Sequence, residues 1–211
     1  MNPLRRNLLL ALGLAPLGAL AQQRALVAGV DYTELKPAQP VDAQGRIEVL
    51  EFFWYGCPHC YTLEPLLEKW IAQLPADVEF RRVPAVLNEA WAREAAVFYS
   101  FEALGVLGKL HRPFFDALHR DRLSSRNPAS LAQWLDKNGV DTKKYDEAVK
   151  SFGVQSKVRR AMQLSAAYRI DGTPALAVHG RYTVGAEQGR TQAGMLAVAD
   201  HLIALARKGA K

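Results

Sequence analysis

The two cysteines of this 211-residue chain stand two residues apart, in Cys57-Pro58-His59-Cys60. A disulfide between them closes a very short loop, which restricts the unfolded chain least and so stabilises least. The spacing therefore predicts chemistry, thiol–disulfide exchange, ahead of a structural bridge. Zinc is the rival use of a Cys-x-x-Cys pair, but a structural site needs two more ligands, usually a second close pair. No second cysteine pair exists, and His111, His119, His179 and His201 are dispersed along the chain. No metal and no cofactor is expected.

The elements around the pair decide how the sulfurs behave. Residues 47–54, IEVLEFFW, are apolar and β-rich, and predict a strand buried on both faces. Residues 62–74 repeat apolar side chains at Leu63, Leu66, Leu67, Trp70, Ile71 and Leu74, the spacing of a helix. Cys57 then falls on the cap of that helix, where backbone N–H groups are unpaired and the macrodipole is positive. Pro58 at the first helical position gives up no needed donor. The dipole is worth at most about one and a half pKa units, so a deeper depression needs N–H contacts and His59 as well. Cys57 is assigned as the attacking sulfur and Cys60, one turn inside, as the buried resolving thiol.

Glu51 sits in the middle of the predicted strand, where an unpaired buried carboxylate is expensive. It either acts as a proton acceptor for the cysteines or is a strand glutamate facing solvent or paired with Arg82. Trp54, Tyr55 and Phe98 are placed either in a peptide groove or in the core.

Residues 78–83 read as a second strand, completing a β-α-β unit with a right-handed crossover. Residues 88–169 carry no strand signal but repeated helix punctuation at Gly105, Asn127-Pro128, Gly139, Asp141 and Gly153, which predicts four or five helices. A hairpin turning at Gly180 and an amphipathic helix over residues 191–207 close the chain, and residues 22–45 form an extended lead-in. The fold class is α/β, interrupted by an all-helical part.

The first residues are basic at Arg5 and Arg6, an apolar run follows, and Ala19-Leu20-Ala21 ends it. That order predicts a signal peptide over residues 1–21, cleaved before Gln22, and places the mature protein in an oxidising compartment such as the periplasm. Losing both arginines and no acid lowers the net charge from +6 to +4, too mild a balance to indicate nucleic acid.

The stretch VLEFFWYGCPHCYTLEPLL resembles the DsbA family of disulfide-forming proteins, as do Gly172-Thr173-Pro174-Ala175 and the helix-rich middle. The resemblance implies a thioredoxin fold with an all-helical insertion: a thioredoxin-like domain over residues 22–87 and 164–211, and an insertion over 88–163. It makes Pro174 a cis-proline facing the disulfide, and gives Thr173 the backbone groups that bind an extended substrate. It also makes Glu51 resemble the buried acid of the thioredoxin fold. The implied activity is donation of the Cys57/Cys60 disulfide to reduced, unfolded exported proteins, with reoxidation by a DsbB-like membrane quinone oxidoreductase. A monomer is expected, because no room precedes residue 47 for a further dimerisation domain. The alternatives are a disulfide reductase or isomerase, or a non-enzymatic peptide-binding chaperone.

Overall fold

The computed structural model describes residues 24–209, so the predicted signal segment and its cleavage point lie outside the described residues. Five strands form one sheet in the order β1-β5-β4-β2-β3. At its centre is β2 (Ile47–Phe53), buried at every position. It pairs in parallel with β3 (Val78–Pro84) on one side and antiparallel with β4 (Ala175–Val178) on the other. β4 continues through a hairpin into β5 (Tyr182–Gly185).

Side chains alternate across a strand, so β2 feeds two cores. Ile47 and Val49 pack with Leu63 and Leu67 of α1 (Pro58–Ile71) and with Val198 and Leu202 of α8 (Gln192–Gly209). Leu50 and Phe52 face the other way, against Ala95 and Ala96 of α2 (Glu89–Ala103) and Val158 and Ala161 of α6 (Phe152–Ala167). Glu51 shares the face of Val49, and the alternation thus sends its carboxylate toward α1.

Between β3 and β4 run five helices: α2, α3 (Leu107–His119), α4 (Pro128–Lys137), α5 (Thr142–Lys150) and α6. Their ends follow the punctuation in the sequence. Asn127 and Asp141 cap α4 and α5 by accepting from backbone N–H groups, and Gly105 and Gly139 take the positive φ that lets the chain turn away. Gly153 is a correction, for it lies inside α6. The break falls at Ser151, which ends α5 and caps α6 by accepting from Val154 N–H.

Two short elements escaped the sequence reading. The lead-in contains β1 (Thr33–Glu34), an edge strand antiparallel to β5, and α7 (Ala186–Gly189) precedes α8. No helix among the described residues is long and apolar enough to cross a membrane.

Candidate active site

The structure holds both cysteines as free thiols at the junction of β2 and α1. Cys57 N–H donates to Trp54 O at 3.0 Å, closing a tight turn. Cys57 is the N-cap of α1 in extended backbone, and its Sγ accepts from Cys60 N–H at 3.4 Å. Pro58 occupies the start of the helix, and Pro58 and His59 are exposed. Both sulfurs are buried, Cys57 at 6% exposure and Cys60 at 0%.

The two thiols are driven apart. Cys57 is lowered from 9.0 to about 5, chiefly by the hydrogen bond from Cys60, with the Thr173 side chain and the N–H groups of Cys60 and His59 adding against the cost of burial. Cys60 is pushed well above 9.0 by burial and by the neighbouring Cys57 and Glu51 charges. One further contact opposes ionisation of Cys57: its thiol donates to Thr173 O at 3.2 Å, which a thiolate cannot do. The donors outnumber that carbonyl, so the thiolate prevails. The Thr173–Pro174 peptide, at the head of β4, is cis, and with His59 it lines a groove of about 620 Å³ that runs along Ile170, Asp171 and Gln188.

Behind the sulfurs lies a charge cluster. Arg82 Nε is 3.1 Å from Glu51 Oε2, an ion pair too poorly aligned to be a hydrogen bond, and the same guanidinium reaches Glu64 and Glu68. Burial dominates over Arg82 at Glu51 and raises its carboxyl to about 8. Of the placements open from sequence, pairing with Arg82 is therefore observed, and a solvent-facing Glu51 is excluded by its complete burial. Glu64, one turn along α1 from Cys60, is lowered: burial opposes, and the His111 hydrogen bond and Arg82 outweigh it. Burial also holds His111 down, in the neutral form. Its Nδ1 then accepts from Tyr55 O–H at 2.9 Å while Nε2–H reaches Glu64 at 3.4 Å.

Comparison with known proteins places this site in a family. Residues 77–197 match the model of the DSBA-like thioredoxin domain, a span holding Pro174 but starting after Cys60. A thiol:disulfide interchange protein DsbA from Pseudomonas aeruginosa is 38% identical over 211 residues, 98% of this chain and 99% of its own, and so spans the cysteines too. The chain belongs to the DsbA family. A second DsbA relative, from Azotobacter vinelandii, is 41% identical over 83% of this chain and 82% of its own. Among solved structures, Pseudomonas aeruginosa DsbA superposes with a TM-score of 0.83 at 36% identity, covering 88% of this chain and 96% of that one. The DsbA oxidoreductase of Xylella fastidiosa gives 0.80 at 31%, covering 87% and 98%. The fold is thus the DsbA-type thioredoxin fold with a helical insertion, and the chain is a thiol:disulfide oxidoreductase that catalyses dithiol–disulfide exchange.

Within this DsbA-family site the structure brings together Cys57, Pro58, His59, Cys60, Thr173 and Pro174, with Glu51 beneath. Tyr55 and Phe98 belong to the core, packed edge-on against Phe53, so neither lines the groove. Trp54 is half-buried and stacked on Trp91 at 4.5 Å. Three residues were not singled out from sequence: Glu64 and Arg82's other partner Glu68, and Glu94. The i, i+4 spacing of Cys60 and Glu64 on a helix was the available signal for the first. Gly56 has a definite cause, because a Cβ there would lie 2.3 Å from the Trp54 ring. Gly56→Ala should push the indole off Trp91 and cost about 1–3 kcal/mol as overpacking. Urea unfolding with tryptophan fluorescence checks this, and an unchanged midpoint and spectrum would show that the turn has slack.

Proposed function

We propose that this chain is a net oxidant, donating the Cys57–Cys60 disulfide to reduced, unfolded exported proteins in the periplasm after loss of residues 1–21. The observation that carries the reading is the opposite displacement of the two thiols, Cys57 to about 5 and Cys60 well above 9.0. A substrate thiolate attacks Cys57 Sγ, the Cys57–Cys60 bond breaks, and Cys60 leaves and takes up a proton. A second substrate thiolate then attacks its own partner sulfur in the mixed disulfide. The substrate disulfide forms, Cys57 departs as a thiolate, and two electrons have passed to the enzyme. In this reading Pro58 and His59 shape the poise of Cys57, while Thr173 and Pro174 present backbone to an extended substrate. A DsbB-like membrane quinone oxidoreductase returns the dithiol to the disulfide, and the chain works as a monomer. The same reading divides the chain into a thioredoxin-like part, residues 22–87 and 164–211, and a helical insertion, 88–163.

Equilibration with glutathione redox buffers tests the direction. A Cys57 near 5 against roughly 7 in thioredoxin favours the dithiol enough to place the potential about 50 mV or more above thioredoxin's roughly −270 mV. A potential at or below that of thioredoxin would make the protein a reductase.

Glu51 is assigned the proton of Cys60. With its carboxyl near 8 it is mostly protonated at pH 7, and it gives a proton as Cys60 leaves and takes one when Cys60 must become a thiolate. Glu51→Gln should slow reoxidation at least about tenfold more than the first attack on Cys57. Stopped-flow rates for each half-reaction measure this, and equal slowing of all steps would leave Glu51 with a structural part only.

A further inference from the structure

Two peptide units around Cys57 are held by side chains from other parts of the fold. The Tyr55–Gly56 unit, ahead of it, is gripped by the helical insertion: its N–H donates to Glu94 Oε2 at 3.0 Å and its C=O accepts from His119 Nε2 at 2.7 Å. Neither end of that unit is bonded to the sulfur. The His59–Cys60 unit is different, for its N–H donates to Cys57 Sγ at 3.4 Å. Its C=O receives two side-chain donors: Gln192 Nε2 at 3.2 Å, from the start of α8, and Thr62 Oγ1, also at 3.2 Å. Gln192 Nε2 further donates to Thr62 Oγ1 at 2.6 Å, so the three groups close a triangle on one carbonyl. A carbonyl oxygen can only accept, which fixes the end of the Gln192 amide that faces α1.

The needs of α8 do not explain this arrangement. Its first turn is capped by Thr191, whose Oγ1 accepts from Gly194 N–H at 2.9 Å. The turn that carries Gln192 is closely packed: a Cβ on Gly189 would lie 2.6 Å from Met195, and one on Gly194 would lie 2.2 Å from Gly189 O. From that base Gln192 reaches 133 residues back, to a peptide whose other end meets the sulfur. A peptide unit is planar, so fixing its C=O fixes the line of its N–H. A donor on the C=O also polarises the N–H, and hydrogen bonds in such a chain strengthen one another. We infer that Gln192 is a positioning residue for the exchange reaction: with Thr62 it holds the His59–Cys60 peptide so that the Cys60 N–H stays on the Cys57 sulfur.

The arrangement favours the dithiol state, because a thiolate accepts from an N–H more strongly than an uncharged sulfur does. The groups that favour the Cys57 thiolate come from two segments. The Cys60 thiol contributes most, then Thr173, then the N–H groups of Cys60 and His59, all against the cost of burial. Gln192 acts through the Cys60 N–H. Its bonds lie at the surface, where water competes. Its share is therefore a fraction of one charge-assisted hydrogen bond, about 10–30% on the usual scale of such polarisation.

The inference rests on Cys57 being the ionised sulfur, and the experiment separates the two. Thiolate absorbance of the reduced protein is titrated in wild type, Gln192→Ala, Thr62→Val and Thr62→Ser. Gln192→Ala and Thr62→Val should each raise the Cys57 midpoint by about half a pH unit. Thr62→Ser keeps the hydroxyl and should hold the wild-type midpoint. In glutathione buffers Gln192→Ala should shift about threefold toward the disulfide, roughly 15 mV. The Cys60 amide-proton resonance of the reduced variant should move upfield as its bond to the sulfur weakens. A bond that only ties α8 to α1 would lower the denaturation midpoint and leave the Cys57 midpoint and the glutathione equilibrium unmoved, and that outcome overturns the inference. Absence of any thiolate transition near pH 5 in wild type overturns the assignment of Cys57, and this inference with it.

Discussion

Parallel urea titrations should find the dithiol form more stable than the disulfide form by about 2 kcal/mol at pH 8, with the order reversed below about pH 6.5. Cys57 ionises near 5 when folded against 9.0 unfolded. A group with a depressed folded pKa contributes stability that is complete above the unfolded pKa and lost as pH falls through the folded one. The window is therefore pH 9 down to pH 5, with a slope of about 1.4 kcal/mol per unit. The contribution reaches about 2.7 kcal/mol at pH 7 and about 4 at pH 8, and the 6% exposure of Cys57 leaves little solvent to screen it. Against it stands the restriction that a four-residue loop puts on the unfolded disulfide chain, about 2 kcal/mol on the chain-entropy account. Cys60 adds nothing below pH 8, being a neutral thiol in both states there. A stabilised reduced form is a known property of DsbA; what the Cys57 shift adds is the crossover and the slope. A difference independent of pH would mean that thiolate charge does not govern the redox poise.

Arg82→Met should cost about 3–5 kcal/mol, the penalty of stranding a buried charge by removing its partner. Arg82 is the guanidinium shared by Glu51, Glu64 and Glu68. Glu51 is mostly neutral at pH 7 already, so the group left exposed to the loss is Glu64, 1% accessible and ionised. Without the guanidinium, the Glu64 carboxyl should rise above its unfolded value. An acid raised on folding loses stability as pH rises, so the variant should regain part of its deficit between pH 7 and pH 5. Adding Glu64→Gln should recover part of it at pH 7. Denaturant midpoints at the two pH values decide the matter, and a loss under about 1 kcal/mol would show that water reaches and solvates the cluster.

The frame of this molecule was readable because each of its long elements obeys one period. IEVLEFF has no polar break except two glutamates, Leu63, Leu66 and Leu67 follow helical spacing, and Asn127 and Asp141 are cap residues in cap positions. Gly153 misled because a glycine marks a helix end only when the backbone needs a positive φ, and here Ser151 supplies the cap. β1 is two residues long, too short for any alternation to register.

At the site, the cysteines and Pro58 were legible from local spacing, since their geometry depends on the strand-to-helix turn alone. Glu94 and His119 were not. A glutamate on an amphipathic helix reads as solvent-facing, and the groups that justify its burial, Gly56 N–H and Ser125, are 38 and 31 residues away. His111 reads as one of several dispersed histidines in the sequence, while its partners Tyr55 and Glu64 come from the β2–α1 turn and from α1. Polar partnerships across elements leave no periodic trace.

The strand order has a temporal consequence. β2 lies between β3, which follows within a few dozen residues, and β4, which comes only after all five helices of the insertion. Thr173, whose carbonyl meets Cys57 across 116 residues, arrives with β4. In a chain that emerges N-terminus first, Cys57 and Cys60 are therefore delivered long before the wall opposite them. Until β4 inserts, α1 has no completed sheet to rest on, and the pair lacks both its facing backbone and its buried floor. Catalytic competence is in this sense a late checkpoint: it switches on with the last fifth of the chain, so truncated or stalled copies carry the cysteines without the tuned nucleophile.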